Sequence, residues 1–233
     1  GIGLPPDKIE LIYSSVDPAP FQRAKASGMR GRLSGEMGWP GDLLIVGAVA
    51  RLDPPKGIDV LARAMKLLGS QGVECGCIVA GEGHDRRRIE ALIAQCGLTD
   101  RVKLLGERRD IPEILSAVDV FAMPSLKEGL GSAVIEAFHA GCCVVASRVG
   151  GLPELVKHEQ TGLLVEPGDP ASLAAAIRRL LDDAVLRKKL AGEGSRFGSE
   201  RFCPTAMIGA TIAVYEKILM MKSGKDKRHC IGA

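Results

Sequence analysis

Two glutamates, Glu128 and Glu136, stand eight positions apart in "KEGLGSAVIEAFHAGCCVVAS", around the small-residue turn Gly129-Leu130-Gly131-Ser132. Ser132 reads as an N-cap, "AVIEAFHA" as a helix with Glu136 in its first turn, and Gly141 as its stop. A helix that opens out of a glycine turn aims free backbone N–H groups and a positive dipole end at the space above the turn, which suits a phosphate. Carboxylates repel phosphate but accept hydrogen bonds from diols well. This points to an anion on the turn, a ribose on Glu136, and Glu128 facing whatever lies beyond the phosphates. Taken alone, the same residues also fit a charge that favours the helix dipole and a solvated loop charge.

A second pair supplies the opposite sign. Arg51 and Lys56 lie in "ARLDPPKG", with Pro54 and Pro55 stiffening the chain between them. Two cations at the end of an apolar run would neutralise a diphosphate, each charge-assisted bond contributing roughly 1.5–3 kcal/mol. Two solvated surface charges is the other reading of that pair.

The elements that must carry these residues follow from hydrophobic patterning. Short apolar runs at 43–50, 74–80, 101–105, 119–124, 142–147 and 161–165 read as strands. Helical spacing separates them, as in Ile58, Leu61, Ala62, Met65 and Leu68, and again in Ile89, Leu92, Ile93 and Cys96. Strands alternating with helices of this length imply parallel βαβ crossovers, and unbroken apolar strands imply a sheet covered on both faces. The expected fold is an α/β, Rossmann-like, doubly wound parallel sheet of about six strands. Ligands of such sheets bind beyond the carboxyl ends of the strands. All the chemistry-bearing loops, "RLDPPKG", "GEGHDR", "GERRD", "PSLKEGLGS" and "SRVGGLPE", fall there. Residues 1–40, rich in Gly and Pro, read as a linker or crossing segment, 41–200 as one domain, 201–221 as a C-terminal helix, and 222–233 as a disordered tail.

Composition bounds the function. The 233 residues are 46% hydrophobic and 25% charged, with a net charge of +3 and only 3% aromatics. Without rings to stack bases or a strong positive field, a dedicated nucleic-acid binder is disfavoured. The run Arg86-Arg87-Arg88 reads as a solvated face. The seven cysteines sit mostly in apolar runs, without a C-x-x-C pair, and the four histidines are scattered. The cysteines therefore read as small hydrophobes in a reduced, cytosolic compartment, with no metal site. No unbroken apolar run approaches the roughly 20 residues that span a bilayer. Docking at the inner face of a membrane stays open. A dinucleotide oxidoreductase would want G-x-G-x-x-G, but "GEGHDR" lacks the third glycine and "GAVARL" the second. G-x-x-x-x-G-K-[ST] is missing altogether.

The ordered series R-L-x-x-x-K-G (Arg51, Leu52, Lys56, Gly57), G-E-G (Gly81, Glu82, Gly83), E-G-x-G-x-x-x-x-E (Glu128 and Glu136 at its ends), G-G-x-P-E (Gly150 and Gly151, with Glu154) and T-G-x-L-V (Thr161, Gly162, Val165) resembles a known family. This is the group of retaining, nucleotide-sugar-dependent glycosyltransferases of GT-B fold, which includes lipopolysaccharide, capsule and mannosyl transferases. The resemblance covers about residues 1–220. It implies that Arg51 and Lys56 bind the donor diphosphate and support its departure. It implies that the backbone of Gly129, Leu130, Gly131 and Ser132 meets phosphate and sugar, together with the G-E-G loop of Gly81 and Gly83. Glu128 would contact donor-sugar hydroxyls near the reacting carbon and Glu136 the ribose. The 109–111 loop, with Arg109 and Ile111, would take the base through backbone groups. No metal or other cofactor is expected, in keeping with the absence of an obvious D-x-D motif. A GT-B enzyme has two Rossmann-like domains, and the resemblance covers only the second, donor-binding one. An acceptor domain is the expected partner, and this half alone is expected to bind more readily than it turns over. A non-catalytic nucleotide-sugar module is the alternative. Where the family usually has Asn-Gly before Val-Asp, this chain has Ser14-Ser15.

Overall fold

The computed structural model describes Pro5 and residues 8–226, with side chains through Met221. Six parallel strands, β1 (Ile45–Val49), β2 (Gly76–Ala80), β3 (Val102–Gly106), β4 (Val120–Met123), β5 (Cys143–Ser147) and β6 (Gly162–Val165), form one sheet in the order β3-β2-β1-β4-β5-β6. All six coincide with the expected runs to within two residues. The chain winds outward from β1 in one direction and from β4 in the other. The sheet therefore splits between these two strands, and a crevice opens beyond their carboxyl ends.

Five strands bury both faces, as a parallel sheet between two helical layers requires, while on the edge strand β3 only Val102 is fully buried. Val46, Cys77, Val79, Val120, Cys143 and Val145 face one apolar cluster with α3 (Ile58–Ser70), α4 (Arg86–Gln95) and α8 (Pro170–Asp182). Ile45, Ile78, Phe121, Met123, Val144 and Leu164 face the other, with α5 (Ile111–Ser116), α6 (Ser132–Ala140) and α7 (Leu152–Leu155). α9 (Ala184–Arg201) joins the two layers. Gly194 and Gly198 leave a groove on it where a Cβ would lie 2.7 Å and 3.0 Å from Phe138 of α6. Burial pushes the thiol of Cys75 up to about 11 and raises those of Cys77, Cys142 and Cys143 as well, so these cysteines act as small hydrophobes.

Two boundaries and one apolar stretch differ from the sequence reading. Within residues 1–40, α1 (Ala19–Ala24) and α2 (Met29–Met37) fold onto α5 and α6, with Phe21, Met29 and Leu33 buried. Arg30 binds Asp119 at 2.7 Å, and Trp39 donates to the Asp100 carbonyl at 2.8 Å. This stretch is part of the domain. Its apolar residues are few and spread over two short helices, which weakens any periodicity. At the other end, α10 (Pro204–Asp226) continues beyond the 201–221 helix into the stretch expected to be disordered. Residues 227–233 of that expected tail lie outside the described residues. Finally, the helical stretch Ala184–Met221 is long and apolar enough to cross a membrane by length and composition, with little of it buried. Thr205, Thr211, Glu216 and Lys217 interrupt the apolar residues along the chain, so no continuous run marks it.

Candidate functional site

The crevice between β1 and β4 opens into a cavity of about 540 Å³. After β1, a 3₁₀ turn at Pro54–Lys56 leads to Gly57, whose backbone has φ +66°. A Cβ on Gly57 would lie 2.0 Å from the Pro124 carbonyl oxygen, so only glycine permits this approach of the β1 loop to the β4 loop. The amides of Leu126 and Lys127 both donate to the Pro55 carbonyl, at 2.8 and 3.2 Å. Locked together in this way, the loops bring Lys56 and Glu128 into contact.

The Lys56 ammonium donates to Glu128 Oε2 at 2.8 Å. Ser125 Oγ donates to the same oxygen at 3.1 Å, and the Gly129 amide to Oε1 at 3.3 Å. The pair is mostly sheltered, with side chains 21% and 11% exposed. An ammonium has three N–H donors, so Lys56 bound to Glu128 keeps two for a phosphate. Arg51 is far more open, 77% exposed, and rests 3.2 Å from Asp53. A long, loosely paired guanidinium can reorient onto an incoming anion at little cost.

The turn after β4 delivers α6. Its N-cap is Gly131, at φ +86°, without a side-chain cap, and Ser132 is the first helical residue. Ser132 therefore does not cap, and Glu136 falls in the second turn instead of the first. Gly131, Ser132 and Ala133 at this uncapped start of α6 line the cavity, where free helix amides suit an anion. Glu136 lines the cavity wall and has no hydrogen-bond or ionic partner among the described residues. Burial alone pushes its carboxyl above the usual carboxylate range.

Of the residues singled out from the sequence, Arg51, Lys56, Gly81, Ile111, Glu128, Gly131, Ser132 and Glu136 line this one cavity. Gly83, Arg109, Gly129 and Leu130 do not. A Cβ on Gly83 would lie 2.4 Å from the Leu52 carbonyl oxygen, so its role is to let the β2 loop pack beneath the β1 loop. The Gly129 carbonyl is taken by the Gly151 amide at 2.7 Å, behind the turn. Arg109 is exposed, and the neighbouring Arg108 turns inward in its place. Arg108 grips both oxygens of Asp110, at 2.8 and 2.6 Å, and holds that carboxyl below the usual range. In "GERRD" nothing separates the two arginines except the direction each side chain takes from the β3 loop. Glu82 and Glu107 complete the rim. The run Arg86-Arg87-Arg88 lies on α4, where Arg86 pairs with Glu82 and Glu90, and Arg88 with Asp85 and Asp59.

The order 3-2-1-4-5-6, with cations and two carboxylates at its switch point, makes this a Rossmann-like α/β domain, one half of a GT-B fold. The family model for glycosyl transferases group 1 matches residues 30–197, and the chain belongs to that family. It is 33% identical over 222 residues to a 2-deoxystreptamine glucosyltransferase of Streptomyces kanamyceticus, covering 94% of this chain and 56% of that protein. It is 35% identical over 178 residues to the lipopolysaccharide core biosynthesis glycosyltransferase LpsD of Rhizobium meliloti, covering 76% of this chain and 51% of that protein. The crystal structure of HepE of Anabaena in complex with UDP superposes with a TM-score of 0.82 at 27% identity, covering 94% of this chain and 59% of HepE. In fold alone, the C-terminal domain of a group 1 protein, LpcC of Francisella tularensis, matches with a TM-score of 0.70 at 24% identity, covering 81% of this chain and 99% of that one. The chain thus spans about half the length of the curated relatives it matches.

Proposed function

We propose that this chain is the donor-binding half of a retaining glycosyltransferase, which moves a sugar from a nucleoside diphosphate to a hydroxyl acceptor. The observation that carries the reading is the Lys56–Glu128 pair at the β1/β4 switch point, beside the amides of α6 and opposite the unpartnered Glu136. Lys56, Arg51 and the α6 amides meet the diphosphate, Glu136 accepts from ribose hydroxyls, and Glu128 accepts from hydroxyls of the donor sugar. In support, HepE has been crystallised with UDP and with UDP-glucose.

In the transfer step the bond between the anomeric carbon and the diphosphate oxygen breaks, and the acceptor oxygen bonds to the same face of that carbon. The acceptor proton passes to the departing phosphate oxygen. Lys56 and Arg51 are placed where negative charge grows on the leaving group, and preorganised charge of this kind is usually the largest catalytic contribution. Glu128, bound to Lys56, is assigned to sugar hydroxyls and not to nucleophilic attack. With two cations and a helix N-terminus on the diphosphate, binding is proposed to need no divalent metal. An acceptor domain would supply the other wall of the cleft, and without it this chain binds donor but turns over poorly. The kinship with LpsD supports a role in cell-envelope glycolipid or polysaccharide synthesis.

Titration calorimetry in EDTA against UDP, GDP and ADP and their hexose conjugates tests this. Binding of at least one pair is the expected result, and absence of any diphosphate binding refutes the reading.

A further inference from the structure

The G-G-x-P-E stretch lines no part of the cavity, yet its first three residues pack against the turn that carries Glu128. A Cβ on Gly150, which has φ +56°, would lie 1.8 Å from the Glu128 carbonyl oxygen, and one on Gly151 would lie 2.4 Å from that of Gly129. A Cβ on Gly131 would sit 2.6 Å from the Leu152 side chain. Three consecutive residues therefore back the turn that carries Glu128, largely main chain against main chain. In close-packed contact of this kind, a shift of one segment moves the other.

What holds the backing segment is less obvious. α7 is a single turn of four residues, too short to persist by its own hydrogen bonds. Leu152 and Leu155 anchor its inner face. On its outer face, Glu154 Oε2 accepts a hydrogen bond from the Tyr13 hydroxyl at 2.5 Å, across 141 positions of sequence. Phenol-to-carboxylate bonds of this length are charge-assisted and directional. The Tyr13 ring is itself fixed, edge-on to the buried Phe202 with centroids 5.3 Å apart. Phe202 in turn meets Phe197 edge-on at 5.6 Å, and its carbonyl accepts the Val16 amide at 2.9 Å.

We propose that Tyr13 and Glu154 are positioning residues for donor-sugar recognition: their hydrogen bond sets the 150–152 segment, which sets the turn bearing Glu128. The inference rests on the assignment of Glu128 to the sugar. Among the described residues no hydrogen bond or ion pair links Glu136 or Arg51 to α7, and the α6 cap at Gly131 meets α7 through Leu152 and not through Glu154, so the free nucleotide should be nearly indifferent to the bond.

Titration of the whole chain tests this, with UDP, UDP-glucose, GDP and GDP-mannose as probes. Tyr13→Phe and Glu154→Gln are each expected to leave the affinity for the free nucleotide within about twofold. Each should weaken the matching sugar-linked ligand by about threefold to tenfold, the range for losing one exposed hydrogen bond. Tyr13→Phe removes the bond and Glu154→Gln removes its charge, so the double variant should be no weaker than Tyr13→Phe alone. A general structural role would lower both affinities together, and that result overturns the proposal, as does an unchanged sugar affinity. If the wild-type chain binds none of the probes, the site reading falls and takes this inference with it. If it binds and the variants match it, only this inference falls.

Discussion

Glu128 and Glu136 bracket one turn, line one cavity and end in opposite surroundings. Glu128 receives Lys56, Ser125 and the Gly129 amide, so its hydrogen-bond donors are in place before any ligand arrives. Glu136, among the described residues, receives nothing, and burial pushes its carboxyl up. The difference separates a preorganised group from a group left wanting. The first can orient a reacting sugar without rearrangement. The second has most to gain from a ligand hydroxyl, because a half-buried carboxylate without donors is costly to keep ionised.

The contrast can be broken most directly at Lys56. Lys56→Ala removes a diphosphate contact and leaves Glu128 without its cation, so diphosphate affinity should fall by about one to two powers of ten in calorimetry. An undiminished affinity would mean that Lys56 serves Glu128 alone. Next in size, Glu136→Gln should weaken free nucleoside diphosphate by about tenfold, whereas Glu128→Gln should leave it nearly intact and lower only the affinity for the sugar-linked form. Equal losses from both variants would dissolve the distinction between the two glutamates.

Smaller effects follow from pH. Ribose hydroxyls favour the ionised form of Glu136, so nucleotide affinity should decline as pH falls through its raised pKa, and Glu136→Gln should flatten that profile. In the free protein the sign is reversed. A carboxyl raised above its unfolded value contributes stability that is present below the unfolded pKa and lost as pH rises through the folded one. Glu136→Gln should therefore raise the thermal midpoint slightly at neutral pH, with the gain vanishing near pH 4. A midpoint that drops at neutral pH would show that Glu136 holds the fold in some way its empty surroundings do not reveal.

Much of this was legible along the chain. Most strands could be read because a parallel strand buried on both faces must be apolar throughout, the edge strand β3 with its Lys103 being the exception, and the order of the motif loops placed the chemistry at strand ends. Arg51, Lys56, Glu128 and Glu136 could be singled out from charge sign and from the glycine turn, and all four line one cavity. Other features were not legible. Arg108 and Arg109 are adjacent and identical, and the bend of the β3 loop decides which one turns inward. Ser132 is a good capping residue by type, but Gly131 takes the cap because a left-handed backbone is needed there. Phe21, Met29 and Leu33 are too few to announce two helices, and only the surface of α5 and α6 makes their burial worthwhile.

The sequence by itself determined the parallel sheet, the loops that carry charge and the sign of that charge, since all of these depend on residue type and local spacing. Only the tertiary structure decided that Lys56 binds Glu128 while Glu136 has no partner among the described residues, and that Tyr13 reaches Glu154. Each of these depends on how loops far apart in sequence approach one another, as when the bare backbone of Gly57 meets the Pro124 carbonyl.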